Sequence, residues 1–305
     1  MELVSILITG ATGFIGKNLL GRLSDGDYHV HGISKEGGNI NNIVIDAVDL
    51  LDKAALDSYC KNKSFDTVIH LAATIPFKFH DEIGRYSLVQ NVQMTINMLE
   101  AYREQKGQVF IYASSSSIYG FPDDLPVTEK TPARPDNFYS IGKFFGEVIC
   151  QQYQREYKLP VAILRISAPY GPGMRRETVV KKFIKNALLS DDITLYGTGR
   201  RSQDFIYIED VVSAMIQAYQ AGATGVFNVS TGTSTSMKEL AEIVLQVLPH
   251  STSKIVYAGI DDPQEDYHAA FSFENAKESF NYEPRFTLEE GIQKYAEAVR
   301  QELGL

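Results

Sequence analysis

The chain has 305 residues, 44% of them hydrophobic and 22% charged, the make-up of a soluble globular protein with room for one large domain or two modest ones. Its net charge of −9 argues against nucleic acid or an anionic membrane as main partner, and no apolar run reaches the roughly 20 residues of a membrane span. Two cysteines, Cys60 and Cys150, lie far apart with no metal-binding spacing around them, so no metal site is expected and both read as buried thiols of a reducing cytoplasm.

The first ten residues carry an acid and an apolar run that stops at Thr9, which is the pattern of a strand and not of a signal peptide. That strand is "VSILIT" (4–9). Further β-rich runs follow: "HVHGI" (29–33), "NIVI" (42–45), "DTVIHLA" (66–72), "QVFIYA" (108–113) and "VAILRI" (161–166). Several are apolar almost throughout, as strands covered on both faces are. Helix-period stretches separate them at 14–24, 52–62, 85–105 and 138–157. Strict alternation of this kind predicts an α/β fold, a doubly wound parallel sheet with helices on both sides.

After Ile166 the rhythm loosens into a Gly/Pro-rich loop, "SAPYGPGMRR" (167–176), a helix at 178–190 and a turn, "YGTGRRSQD" (196–204). A helix at 209–220, a strand-like "VFNVS" (226–230) and helices at 236–248 and 287–302 complete the chain. The expected organisation is a dinucleotide-binding domain over 1–170, to which 204–231 returns, and a smaller, interleaved α/β substrate lobe from 171–203 and 232–305.

Gly10, Gly13 and Gly16 stand between the first strand and the first helix. Glycine in such a turn tolerates positive φ, lets the backbone approach a pyrophosphate, and lets the helix pack close to the strand. The free N–H groups at the helix start then bind the phosphates. The second strand ends in Ser34 and Lys35, where an acid would favour NAD, so NADP is not excluded. Asp49 is a candidate for the adenine amino group, with Asp46 and Asp52 as surface or capping acids.

Tyr139 and Lys143 are four residues apart and share one helix face. A nearby ammonium favours the phenolate and lowers a tyrosine pKa toward a working range. "IYASSSSIYG" (111–120) ends a buried strand in four serines, at the edge where open α/β sheets bind ligands, so one hydroxyl is placed to meet substrate beside Tyr139.

"TGATGFIG" (9–16), "HLAA" (70–73), "SSSSIYG" (114–120), "YSIGK" (139–143), "LRISAPYGPG" (164–173) and "DFIYIEDV" (204–211), in this order, resemble the extended short-chain dehydrogenase/reductases, in particular their nucleotide-sugar epimerases and dehydratases. The resemblance implies a Rossmann domain holding NAD(P), a nucleotide-sugar substrate, and a catalytic set of Ser115, Tyr139 and Lys143. It implies cofactor contacts from Gly10, Thr12, Gly13, Phe14, Ile15 and Gly16, then from Ser34, Asp49 and Leu50, then from Leu71, Ala72 and Ala73, with Tyr139 and Lys143 at the nicotinamide end. Substrate contacts are expected from Ser115, Ser116, Ser117 and Gln203.

Two departures stand out. Dehydratases of this family carry an acid pair after the catalytic hydroxyl, where this chain has Ser116 and Ser117. Many of its epimerases contact a diphosphate through an asparagine and arginines at places held here by Ala168, by Gln203 and by the arginine-free "DDPQEDYH" (261–268). Arg175, Arg176, Arg200 and Arg201 are the nearby replacements, or else solvated surface charges. The favoured activity is carbon-4 epimerisation of a nucleotide-linked hexose; an NADPH-dependent keto-sugar reductase and a non-catalytic dinucleotide sensor are the alternatives. Leu88, Val92, Ile96 and Leu99 make one stripe on helix 85–105, with Met94 and Met98 beyond it. Helix 138–157 shows Phe144, Phe145, Val148 and Ile149, so apolar width exceeds one face on both, which predicts burial on two sides. The family resemblance implies that these helices pair in a homodimer, the alternative being helices set deep against the sheet.

Overall fold

A computed structural model describes residues 3–24, 26–75, 82–105 and 107–305; Met1 and Glu2, part of the reading of the first ten residues, lie outside it. The first half alternates as expected: β1 (Val4–Thr9), α1 (Phe14–Leu23), β2 (Tyr28–Ser34), β3 (Gly38–Ile40), β4 (Ile43–Ala47), α2 (Lys53–Cys60), β5 (Thr67–His70), α3 (Glu82–Arg103), β6 (Val109–Ser115), α4 (Phe138–Tyr157) and β7 (Val161–Ile166). The second half holds β8 (Ala168–Tyr170), α5 (Val179–Leu189), β9 (Ile193–Leu195), β10 (Ser202–Gln203), β11 (Phe205–Tyr207), α6 (Ile208–Gln220), β12 (Gly225–Val229), β13 (Thr235–Ser236), α7 (Met237–Val247), β14 (Ile255–Tyr257), α8 (Glu274–Phe280) and α9 (Leu288–Leu303).

Eight strands form one sheet in the order β12-β7-β6-β5-β1-β2-β4-β3. All its pairings are parallel except the edge hairpin β3–β4. The order reverses at β1, so the carboxyl ends of β1 and β5 flank the topological switch point where such sheets bind ligands. The late strand 226–230 does return to the main sheet, as β12 beside β7. The sequence marks only the second strand of the hairpin, at 42–45; its turn is Asn41–Asn42, both at positive φ (51° and 63°), a two-residue turn matched to strand twist. β3 is short and carries Gly and Asn, so it has little apolar pattern to announce it.

β5 and β7 are buried at every residue because helices cover both faces. One face packs on α2, α3 and α4 through Leu56, Met98, Leu99, Tyr102 and Cys150; the other packs on α1 and α6 through Leu19, Leu20, Val211 and Met215. Cys60 and Cys150 are free and buried on the first face. On α3 the sheet-facing side is Asn91, Met94, Thr95, Met98 and Leu99, whereas Leu88, Val92 and Ile96 of the stripe stay half-buried. Among the described residues no helix is long and apolar enough to cross a membrane, and no group of His, Cys, Asp and Glu is arranged to hold a metal.

Candidate active site

A cleft of about 1330 Å³ runs along the carboxyl ends of β2, β1, β5, β6 and β7. Its floor starts at the glycine turn. Gly10 has φ +67°, and a Cβ there would lie 2.8 Å from the Ala72 backbone nitrogen, so only glycine lets the turn touch the loop after β5. A Cβ at Gly16 would lie 2.5 Å from the Gly10 carbonyl oxygen, so this glycine lets α1 start directly on the turn. Gly13 caps α1 with no side-chain hydrogen bond and no acid stands in its first turn, which leaves the positive helix end for an anion. This cradle fits the pyrophosphate of NAD. Thr12, Phe14, Ile15, Leu71, Ala72 and Ala73 line the cleft around it.

Ser34, Lys35, Asp49 and Leu50 line the far end. Ser34 Oγ accepts the Gly37 N–H at 3.1 Å. Asp49 accepts the Leu51 N–H at 3.0 Å and stands 3.3 Å from Lys35 Nζ. That backbone hydrogen bond first, and then Lys35, hold its carboxyl below the usual range. The ammonium that left room for NADP in the sequence thus faces a carboxylate, and that carboxylate would repel a 2′-phosphate.

At the other end, β6 delivers Ser115 and α4 delivers Tyr139 and Lys143, all on the cleft wall. Asn137 caps α4 and Ser140 returns the hydrogen bond, which fixes the first turn on which Tyr139 sits. The Ser115 hydroxyl faces the Tyr139 phenol closely enough to favour its ionised form. Lys143 is 4% exposed, and its Nζ donates to the Ala113 carbonyl at 2.7 Å. Burial pushes its pKa down to about 8 against the pull of Cys150 and Glu147.

Burial raises the Tyr139 phenol above its ordinary value; Ser115 and Arg176 pull it back. The sequence assigned that lowering influence to Lys143. Lys143 Nζ donates to a backbone carbonyl and lies 6.0 Å from the Tyr139 ring centroid, and Arg176 is a second cation that favours the phenolate.

Ser116 and Ser117 do not line the cleft. They turn into a 3-10 segment, Ser116–Tyr119, where Ser116 is buried and Ser117 hydrogen-bonds Ser115 Oγ through both its N–H (3.2 Å) and its hydroxyl (2.9 Å). Gln203, Ala168, Arg175 and Arg176 are on the wall. Arg176 donates to the Ile75 carbonyl at 3.3 Å. Arg200 and Arg201 are elsewhere: Arg200 is 2.6 Å from Asp266, and Arg201 is 2.9 Å from Gln264 and 3.3 Å from Asp262. The segment 261–268, which lacks an arginine, instead takes up both of these with its acids.

Sequence reasoning missed a buried polar network behind the serines. Ser114 and Arg165 both donate to Glu147; Arg165 reaches it at 2.8 Å and also donates to Tyr119 at 2.8 Å. The signal was present: an arginine inside the apolar run "VAILRI" needs a buried partner, and Glu147 lies one helical turn past Lys143. His70 was noted only as part of a motif. It is buried, hydrogen-bonded to Thr9 at 2.8 Å, and pushed down to about 3 by burial and by Lys143, so it is neutral.

A doubly wound sheet with a glycine cradle at one end of a cleft and a Ser–Tyr–Lys set at the other defines a dinucleotide-dependent enzyme. The model of the NAD dependent epimerase/dehydratase family matches residues 6–230, and the chain belongs to that family, whose cofactor is NAD. A relative from Methanocaldococcus jannaschii, named "Putative UDP-glucose 4-epimerase", is 33% identical over 300 residues, covering 95% of this chain and 96% of the relative. The dTDP-D-glucose 4,6-dehydratase of Bos taurus is 27% identical, covering 97% of this chain and 88% of the relative. The crystal structure of the UDP-glucose 4-epimerase of Thermotoga maritima with UDP-glucose superimposes with a TM-score of 0.89 at 26% identity, covering 98% of this chain and 100% of that one.

Proposed function

We propose that the chain is an NAD-dependent epimerase that inverts carbon 4 of a nucleotide-linked hexose. The observation that carries the proposal lies at the end of β6: Ser115 shares the cleft wall with Tyr139 and Lys143, and serines, Ser116 and Ser117, follow it where expulsion of water would call for acids. Bound NAD supplies the hydride acceptor. Tyr139 takes the proton of the hydroxyl being oxidised and returns it when the keto sugar is reduced on its other face. Ser115 orients that hydroxyl, and Lys143 holds the nicotinamide ribose. Relatives named for UDP-glucose put UDP-hexoses first among substrates. Arg175 and Arg176 are assigned to the diphosphate, because Arg200 and Arg201 pair with residues of segment 261–266 and Gln203 carries no charge.

The test is incubation with a panel of UDP-, GDP- and CDP-hexoses, following product stereochemistry and nicotinamide absorbance together. Interconversion with no net absorbance change is expected. Stoichiometric formation of reduced cofactor from these hexoses, the reverse reaction of a keto-sugar reductase, would instead identify that alternative, and binding without turnover a sensor.

A homodimer through α3 and α4 belongs to the same proposal. Tyr86, Val89, Phe145 and Val148 are exposed beside the half-buried Leu88, Val92 and Ile96, an apolar face wider than isolated surface residues make. Light scattering is expected to give twice the 34.0 kDa chain mass, and a Phe145→Asp/Val148→Asp variant the single mass. A wild-type monomer would refute the dimer.

A further inference from the structure

Ser167 follows β7 directly, one residue past Ile166, the register partner of Ser115 on β6. Its N–H donates to the Val229 carbonyl at 3.0 Å, which fixes the backbone. The side chain is 3% exposed, yet its hydroxyl has no hydrogen-bond partner among the described residues. Ser167 also lines the cleft. Of the buried side chains left unpartnered among the described residues, it is the one on that wall. A buried hydroxyl without a partner is unfavourable, so a group that enters the cleft and completes it gains affinity.

The strand order says which group that is. The adenosine end lies at β2 and β4, with Ser34 and Asp49; the reacting end lies at β6 and β7, with Ser115, Tyr139 and Lys143. Beyond Ser115 on the β7 side the wall is Ile166, Ser167 and Ala168, and Ser167 brings the hydroxyl. The nicotinamide carboxamide offers a carbonyl acceptor and an amide donor, and a hydroxyl can serve either. We propose that Ser167 hydrogen-bonds the carboxamide of the nicotinamide and so sets which ring face meets the sugar. Ser167 is then a positioning residue of the site, and its role rests on NAD lying with its nicotinamide at the Tyr139 end.

The test uses the full chain freed of nucleotide. Calorimetry gives affinities for NAD, for ADP-ribose, and for the pyridine adenine dinucleotide that lacks the carboxamide. Wild type is expected to prefer NAD over that analogue, and Ser167→Ala to reduce the preference about tenfold while ADP-ribose affinity stays unchanged; tenfold is about 1.4 kcal/mol. Nucleotide-free Ser167→Ala is expected to melt no lower than wild type, since it loses only an unpartnered hydroxyl. An unchanged preference overturns the proposal, as does equal weakening of all three ligands or a lower melting point with the preference intact. Wild type that binds NAD no better than ADP-ribose would contradict the placement of the ring in this cleft and overturn the proposal with it. If the variant fails to fold, a crystal of the wild-type holoprotein decides: Ser167 Oγ within hydrogen-bond distance of the carboxamide supports the assignment, and Oγ bonded elsewhere refutes it.

Discussion

Replacing Lys143 with Met is expected to give a protein that is more stable and inactive. Lys143 is 4% exposed, and burial lowers its pKa from 10.5 to about 8. Such a fall corresponds to roughly 3 kcal/mol of unfavourable burial of the charge at neutral pH. Methionine fills a similar volume without the charge. It loses the 2.7 Å charge-assisted hydrogen bond to the Ala113 carbonyl, a loss of about 2 kcal/mol. The net gain is about 1 kcal/mol, measured by urea unfolding at about pH 7. Between pH 8 and 10.5 the unfolded wild-type chain binds a proton that the folded chain has shed, so wild-type stability rises with pH through that window. The variant's advantage is therefore expected to shrink at about pH 10. A variant no more stable than wild type near neutrality, or a gap independent of pH, would refute the reasoning. Turnover is expected to vanish, which makes Lys143 a residue kept for function against stability.

Arg165→Met leaves Glu147, 1% exposed, as a buried charge without its cation, and is expected to cost about 3–5 kcal/mol in unfolding. Arg165→Met with Glu147→Met is expected to cost far less than the two single changes added, and strict additivity would contradict the pairing. Gly10→Ala forces a side chain to φ +67° and against the Ala72 nitrogen; a loss of about 1–3 kcal/mol and of NAD binding is expected, read by thermal melting with and without nucleotide.

The sheet and the glycine cradle were legible because they rest on local pattern. Buried strands read as apolar runs, and the loop at Gly10, Gly13 and Gly16 sits where strand period gives way to helix period. Tyr139 and Lys143 were legible because a four-residue spacing fixes a common helix face. What escaped depends on contacts between distant segments. That Arg176 acts on Tyr139, that Arg200 and Arg201 are taken by segment 261–266, and that Ser117 turns onto Ser115 follow from how loops meet, which spacing along the chain does not encode. The β3 strand escaped for another reason: it is an exposed edge whose stability comes from the Asn41–Asn42 turn, and no apolar alternation marks it.

In the proposed reaction the Tyr139 hydroxyl carries the proton of the sugar being oxidised. Turnover of Tyr139→Phe on the accepted nucleotide-hexose, with NAD affinity and melting measured alongside, tests it most directly. A loss of about 10²–10⁴-fold with NAD affinity and melting unchanged is the predicted result; turnover within about tenfold of wild type would contradict it.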